Sequence, residues 1–390
     1  MSSLIRLSVV TETFTPDVNG VARSLQQLLS SLPQHRFEIQ IVRTGADASG
    51  TTSLWPEVVC PSVRLPMYPD VKLGLPARRR LRSAWQNFKP DVVFVVTEGP
   101  LGYSAVRLAN RMHIPLFSAF HTNFHSYSGY YGLPWINALV VAWLRRFHRQ
   151  TRLTLVPSVE TEQALTALGF AQVQTLSHGV DCELFHPGKR QDVLRQQWLK
   201  NDDTPVLMYV GRIAAEKNIP LLLGAYRRWQ QRGGQARLVL VGDGPLRQSL
   251  ERQNPDVIFA GVQTGEALAQ HYASADAFFF PSLTETFGLV TLEAMASGLP
   301  VLAFDCAAAH QSVQDQRSGV LVDVKASHHE KAFMVGLHRL MQLDRQTAGS
   351  VARAYAETVS WPRVGEEFAH LTQSILHSSL PISAERTSLV

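Results

Sequence analysis

An α/β chain built from two doubly wound parallel-sheet domains is what this sequence predicts, on three observations. Short apolar runs alternate with helix-patterned stretches from end to end, and that alternation signals parallel strands with helices on both faces. The alternation comes in two successive series. At 390 residues, with 45% hydrophobic and 18% charged residues, the chain is long enough for two domains, each with a core of its own.

The first series opens with LIRLSVV and the helix VARSLQQLLSSL, followed by FEIQIV. It continues through DVVFVV with GYSAVRLANRM, IPLFSAF with a long helix, and LTLVPS with VETEQALTALG. The second series runs PVLMYVGR with PLLLGAYRRWQQ, ARLVLVGDG with PLRQSLERQ, and VIFAG with GEALAQHYASA. AFFFPS, a helix ending at Gly298 and Pro300, VLAF and GVLVDV complete it. SHGVDCELFHPGKRQ (177–191) combines Gly, Pro and charge without periodicity, and so marks the join. The expected organisation is a first domain over 1–180, a linker over 181–204, a second domain over 205–360, and a terminal helix with a loose tail over 361–390. SWPRVGEEFAHLTQSIL in that last part is helical and is expected to cross back to the first domain.

Charge and cysteine content narrow the classes. Residues 1–180 carry 17 basic and 10 acidic residues and residues 181–390 carry 20 and 22, so the excess behind the net +5 lies in the first half. No helix-turn-helix, zinc-finger or RNP signature accompanies it, which argues against nucleic acid and for an anionic membrane surface. Cys60, Cys182 and Cys306 are far apart and form no CxxC pair, so neither a disulfide framework nor a zinc knuckle is indicated and a reducing cytoplasm fits. MSSLIRLSVVTETFTP lacks the apolar stretch and cleavage site of a signal peptide and reads as a first strand. PWINALVVAWLRRFHRQTR (134–152) has an uncharged core of only 10 residues against the roughly 20 that span a bilayer, so it lies on a membrane at most.

Candidate chemistry gathers after the strands. Glu285 and Glu293 stand eight apart in FPSLTETFGLVTLEAMASGLPVLAF, Glu285 in a loop and Glu293 more than a turn inside the following helix. The N–H groups of Gly288, Leu289 and Val290 at that helix start suit an anion. Arg212 and Lys217 in MYVGRIAAEKNIP follow a strand, as two cations able to clamp a diphosphate. VGDGP offers Gly242 and Gly244 for close backbone approach, and Gly20 precedes a helix after the first strand. His121 ends IPLFSAFH, with His125 four residues on. Each has an ordinary alternative: solvated carboxylates, surface cations, a structural turn, a structural histidine.

Taken in order, GR with K five residues on, VGDGP, and ADAFFFPSLTETFGLVTLEAMASGLPV resemble the retaining nucleotide-sugar glycosyltransferases of group 4, which have the GT-B fold. GVDCELFHP resembles that family's interdomain segment, and SWPRVGEEF its returning terminal helix. The resemblance implies two Rossmann-like domains facing across a cleft, the first binding the acceptor and the second the donor. It implies that Arg212 and Lys217 bind the donor diphosphate, that Glu293 binds the ribose, and that Glu285 contacts the donor sugar. The backbone from Gly288 to Val290 would meet phosphates or sugar, Gly20 and Val262 join the donor-binding set, and His121 matches the active-site histidine near the transferred sugar. TETFTPDVNGV, VTEGPLGYSA and FHTNFHSYSGYYG look closest to bacterial diacylglycerol glycosyltransferases, sulfolipid synthases and GDP-mannose-dependent mannosyltransferases. Asn19 with Gly20, and FDCAAAHQSV (304–313), depart from the usual Gly-Gly patterns, and the role of His310 stays open.

The implied reaction is hexose transfer with retention from a UDP-sugar or GDP-mannose to an acceptor hydroxyl, on a membrane glycerolipid. No D-x-D triplet occurs, and no metal or other cofactor is implied. Cations and helix termini would stabilise the leaving diphosphate. LPARRRLRSAWQNF (75–88) combines Arg78, Arg79, Arg80 and Arg82 with Leu81, Trp85 and Phe88 as an interfacial segment, or as a solvated helix face. The expected place is the cytoplasm, peripheral on the inner face of its membrane. The rival readings are an epimerase of the same fold, a transferase acting on a polysaccharide or small molecule, and a non-catalytic sugar-nucleotide-binding protein.

Overall fold

The computed structural model of the chain describes residues 4–15, 20–45, 54–65, 68–121, 134–199, 204–283 and 288–377. It divides into two compact units, one of Met1–His178 with Trp361–Val390, the other of Gly179–Ser360.

In the first unit, β1 (Ile5–Thr11), α1 (Gly20–Ser31), β2 (Phe37–Thr44) and β3 (Glu57–Cys60) are followed by a hairpin of β4 (Ser62–Leu65) and β5 (Tyr68–Gly74). Then come α2 (Arg78–Phe88), β6 (Val92–Val95), α3 (Pro100–Arg111), β7 (Leu116–Ala119), α4 (Pro134–His148), β8 (Thr154–Val156), α5 (Val159–Ala167) and β9 (Val173–Thr175). Seven strands form one sheet in the order β3-β2-β1-β6-β7-β8-β9, and every pairing is parallel. Central strands such as β6, VVFV, are buried on both faces, which is why they read as unbroken apolar runs.

In the second unit, α6 (Asp192–Leu199), β10 (Val206–Val210), α7 (Ile219–Gln230), β11 (Arg237–Val241), α8 (Arg247–Gln253) and β12 (Ile258–Gly261) come first. α9 (Gly265–Ser274), β13 (Ala277–Phe280), α10 (Leu289–Ala296), β14 (Val301–Phe304), α11 (Ala307–Ser312), β15 (Gly319–Val322), α12 (His329–Gln342) and α13 (Arg345–Thr358) complete it. The sheet order is β12-β11-β10-β13-β14-β15, all parallel. This order turns back between β10 and β13, and open sheets of this kind bind ligands at such a reversal, beyond the carboxyl ends of the strands.

The segment after Gly179 is fastened to the second unit. Arg353 donates to the carbonyls of Cys182 (3.0 Å), Phe185 (2.7 Å) and Ala296 (2.6 Å), and Asp276 accepts Arg195 at 2.9 Å and the Val206 N–H at 2.8 Å. The last helix, α14 (Trp361–His377), belongs to the first unit. Phe368 packs on Phe94 and Phe117 with ring centroids 5.2 and 5.5 Å away. A side chain at Gly365 would sit 2.6 Å from the Ser31 carbonyl, so only glycine lets α14 lie this close to α1.

α2 corrects one expectation. Leu81 and Trp85 point into the core and are essentially unexposed, and the Trp85 Nε1–H donates to Ser8 Oγ at 2.9 Å. They anchor the helix to the sheet, so they are not available to a membrane. On α4 the apolar residues divide: Leu144 and Phe147 are buried, Leu139 and Trp143 exposed.

Candidate active site

At the reversal point of the second sheet, the loop after β10 carries Arg212 and Lys217. Gly211 has φ +153° and a side chain there would meet the Tyr209 hydroxyl at 2.7 Å. That hydroxyl donates to the Arg212 carbonyl at 3.0 Å and so sets the start of the loop. The Arg212 side chain is 65% exposed and pairs with Glu216 at 3.0 Å. Lys217 lies in a single 3-10 turn, Ala215–Lys217, closed by Asn218 at φ +53°. The Asn218 amide donates to the Pro281 carbonyl at 3.2 Å, tying this loop to the end of β13.

The VGDGP glycines have a structural explanation. A side chain at Gly242 would stand 2.0 Å from the Gly211 carbonyl oxygen, and one at Gly244 2.4 Å from that of Ile213. The Ile213 N–H donates to the Asp243 carbonyl at 2.8 Å. The close backbone approach is therefore to the Arg212 loop, which these glycines hold in place. Val262 follows β12 and is 64% exposed.

Gly288, at φ +92°, caps α10, whose first turn contains Leu289 and Val290. Glu293 is 8% exposed, and its Oε2 accepts the Tyr272 hydroxyl at 3.0 Å. Tyr272, on α9, escaped sequence reasoning because only the packing of α9 beside α10 brings its hydroxyl to the carboxylate. Glu285 falls in 284–287, outside the described residues, as does His125 in 122–133. Past β14, His310 Nδ1 lies 2.7 Å from Asp305 Oδ1, and Ala307 takes φ +50°, a conformation that glycine adopts without strain.

The carboxyl edge of the first sheet holds His121, directly after β7. Its ring stacks on His178 at 5.9 Å, and His178 meets Trp361 edge-on at 6.4 Å. Burial lowers the His121 pKa, against a pull upward from Glu98. Burial, with His121 beside it, lowers that of His178 to about 3. Both rings are neutral at pH 7. Gly20 opens α1, and a side chain there would meet nothing within 4 Å among the described residues, so packing does not demand glycine.

Two carboxylates on this edge were not singled out from sequence. Glu12 is buried and accepts the N–H groups of Leu101 (2.8 Å) and Gly74 (3.2 Å), while its own N–H donates to Thr97 Oγ1 at 2.9 Å. Burial raises its pKa, opposed by those backbone donors. A side chain at Gly99 would lie 2.1 Å from Glu12 Oε2 and would displace that carboxylate. Glu98, in the loop that Glu12 secures, faces His148 Nε2 at 3.5 Å.

Comparison with known proteins decides the class. A family model described as "Glycosyltransferase Family 4" matches residues 18–184, and one described as "Glycosyl transferases group 1" matches 204–342. A GDP-mannose-dependent alpha-mannosyltransferase of Mycobacterium tuberculosis is 34% identical over 368 residues, 93% of this chain and 95% of that protein. The chain belongs to the group 1 glycosyltransferases. This glycosyltransferase is also 26% identical to the alpha-monoglucosyldiacylglycerol synthase of Streptococcus pneumoniae, across 81% of this chain and 75% of that one. Among solved structures, Anabaena HepE in complex with UDP matches with a TM-score of 0.73 and 20% identity over 95% of this chain and all of that one. That likeness speaks for the fold, GT-B. Among the described residues no helix is long and apolar enough to cross a membrane.

Proposed function

We propose that this glycosyltransferase moves a hexose from a nucleotide-diphosphate sugar, with retention at the anomeric carbon, to a hydroxyl of a membrane glycerolipid. The observation that carries the donor half is the placement of Arg212, Lys217 and the Gly288 cap of α10 on the loops that flank the reversal point between β10 and β13. A diphosphate there meets cations and the positive end of a helix, which stabilise charge as it develops on the leaving group. Glu293 serves the ribose, Glu285 the sugar, and His121 the transferred hexose. The acceptor oxygen forms its bond to the anomeric carbon as the bond to the phosphate oxygen breaks, and the departing phosphate takes the acceptor's proton. No protein nucleophile is required. The name of the Mycobacterium relative makes GDP-mannose the first donor to try, and the UDP in HepE makes UDP-sugars the second.

The lipid half rests on the name of the Streptococcus relative and on charge. Arg78, Arg79, Arg80 and Arg82 are exposed on α2, and Arg111 first, then Arg82 and Arg107, press the Arg78 pKa down. Such a cluster welcomes an anionic leaflet, to which each basic residue contributes about 1 kcal/mol. Exposed Leu139 and Trp143 on α4, next to Arg145, Arg146 and Arg149, add apolar contact. Incubation with a panel of GDP- and UDP-sugars and a bacterial lipid extract, read by mass spectrometry, tests the whole reading. A hexose added to diacylglycerol or a related lipid is expected. Donor hydrolysis or epimerisation without any glycosylated lipid would refute it.

A further inference from the structure

The first unit buries a carboxylate and an imidazole that the reaction as written does not use. Glu98 has a side-chain exposure of 12% and His148 of 1%, and they face each other at 3.5 Å. Neither Glu98 Oε1 nor His148 Nε2 has a hydrogen-bond partner among the described residues. The opposite side of the imidazole is engaged: Nδ1 lies 2.9 Å from Ser118 Oγ and 3.3 Å from Thr154 Oγ1. Ser118 belongs to β7, the strand that leads into His121, and the Phe120 ring, next in the chain to His121, lies 5.6 Å from the His148 ring. A line of polar contacts thus runs from Glu98 through His148 to the strand beneath His121. Apolar side chains would fill this space at lower cost, since an ionisable pair must be stripped of water to be here.

We propose that Glu98 is a positioning residue for sugar transfer: through His148 and the end of β7 it fixes how His121 presents its ring. The proposal rests on the role given to His121 above. The titratable groups that face His121 are Glu98 from the loop after β6 and His178 after β9, with Glu12 behind Glu98. The Glu98 charge opposes the burial-driven fall in the His121 pKa. That charge acts on His121 through space, so the positioning role is read from kcat and from the His148 link.

The test combines kinetics with nitrogen-15 NMR of labelled histidines in the full chain. Glu98→Gln is expected to lower the His121 pKa further, as loss of the opposing negative charge does. It should reduce kcat at least tenfold with the donor KM within about twofold, the pattern of a lost transition-state interaction. His148→Gln, which keeps the charge and cuts the link, should reduce kcat to a similar degree, and it carries the test if Glu98→Gln fails to fold. A folded Glu98→Gln or His148→Gln variant with wild-type kcat overturns the proposal. His121→Ala separates the two readings. Full transfer in that variant defeats the role of His121 itself, whereas its loss beside an unaffected Glu98→Gln enzyme defeats only the positioning role.

Discussion

Replacing Arg212 by alanine probes the donor edge most directly. Its side chain is 65% exposed and pairs with Glu216, itself 43% exposed, at 3.0 Å. An exposed pair of this kind contributes about 0–1 kcal/mol after solvent screening. A charge-assisted bond to a diphosphate oxygen contributes about 1.5–3 kcal/mol. Binding exchanges the first for the second, so removal of the side chain should cost about 0.5–3 kcal/mol, or roughly 2- to 160-fold in kcat/KM for the donor. Initial rates at varied donor, with thermal unfolding as a control, provide the assay. Arg212→Lys should recover only part of the loss, since a point charge does not reproduce the planar fork. A folded Arg212→Ala enzyme whose kcat/KM stays within twofold of wild type would refute both the assignment and the arithmetic.

Tyr272→Phe removes the hydroxyl that Glu293 accepts at 3.0 Å, and a lost hydrogen bond of about 0.5–1.5 kcal/mol that holds this carboxyl in place should appear as a raised donor KM in steady-state kinetics. His178, with a pKa of about 3 in the folded chain against an ordinary 6.5, contributes stability that is complete above pH 6.5 and is lost as the pH falls from there toward 3. Chemical denaturation at stepped pH should show that loss, and a His178→Asn variant should show a shallower one. Arg78→Ala combined with Arg82→Ala removes two exposed charges, about 2 kcal/mol at an anionic surface, so co-sedimentation with phosphatidylglycerol vesicles at low salt should weaken about 30-fold.

The strands that sequence made plain are those buried on both faces. AFFF, VLAF and RLVLV became β13, β14 and β11 because an apolar run closed by Gly or Pro leaves few alternatives. The edge of the first sheet was not legible: Glu57–Gly74 mixes proline and charge, and its hairpin takes no part in the seven-stranded sheet. Nor was β9, whose three residues VQT carry no periodicity. α12 and α13 also went unread. Leu81 and Trp85 show a different failure, since a basic amphipathic helix looks the same on paper whether its apolar stripe meets lipid or a sheet. Among the candidate residues, type and position relative to a strand drew attention to Arg212, Lys217 and Glu293 in the second unit and to His121 in the first. Glu98 with His148, 50 positions apart, and Tyr272 with Glu293, 21 apart, meet only through tertiary packing, so no local pattern announces them.

The discontinuity of the first unit has a consequence for how the chain is made. The second unit is a single stretch, Gly179–Ser360, and has every residue it needs before synthesis ends. The first unit, begun earlier, leaves the ribosome without Trp361, Val364 and Phe368, which later cover Phe94 and Phe117. The segment translated first is therefore the last to be finished. Until α14 emerges, that unit carries an uncovered aromatic face of the kind that chaperones bind and proteases exploit. A nonsense codon just before Trp361 should thus yield a chain whose second half folds and whose first half is degraded.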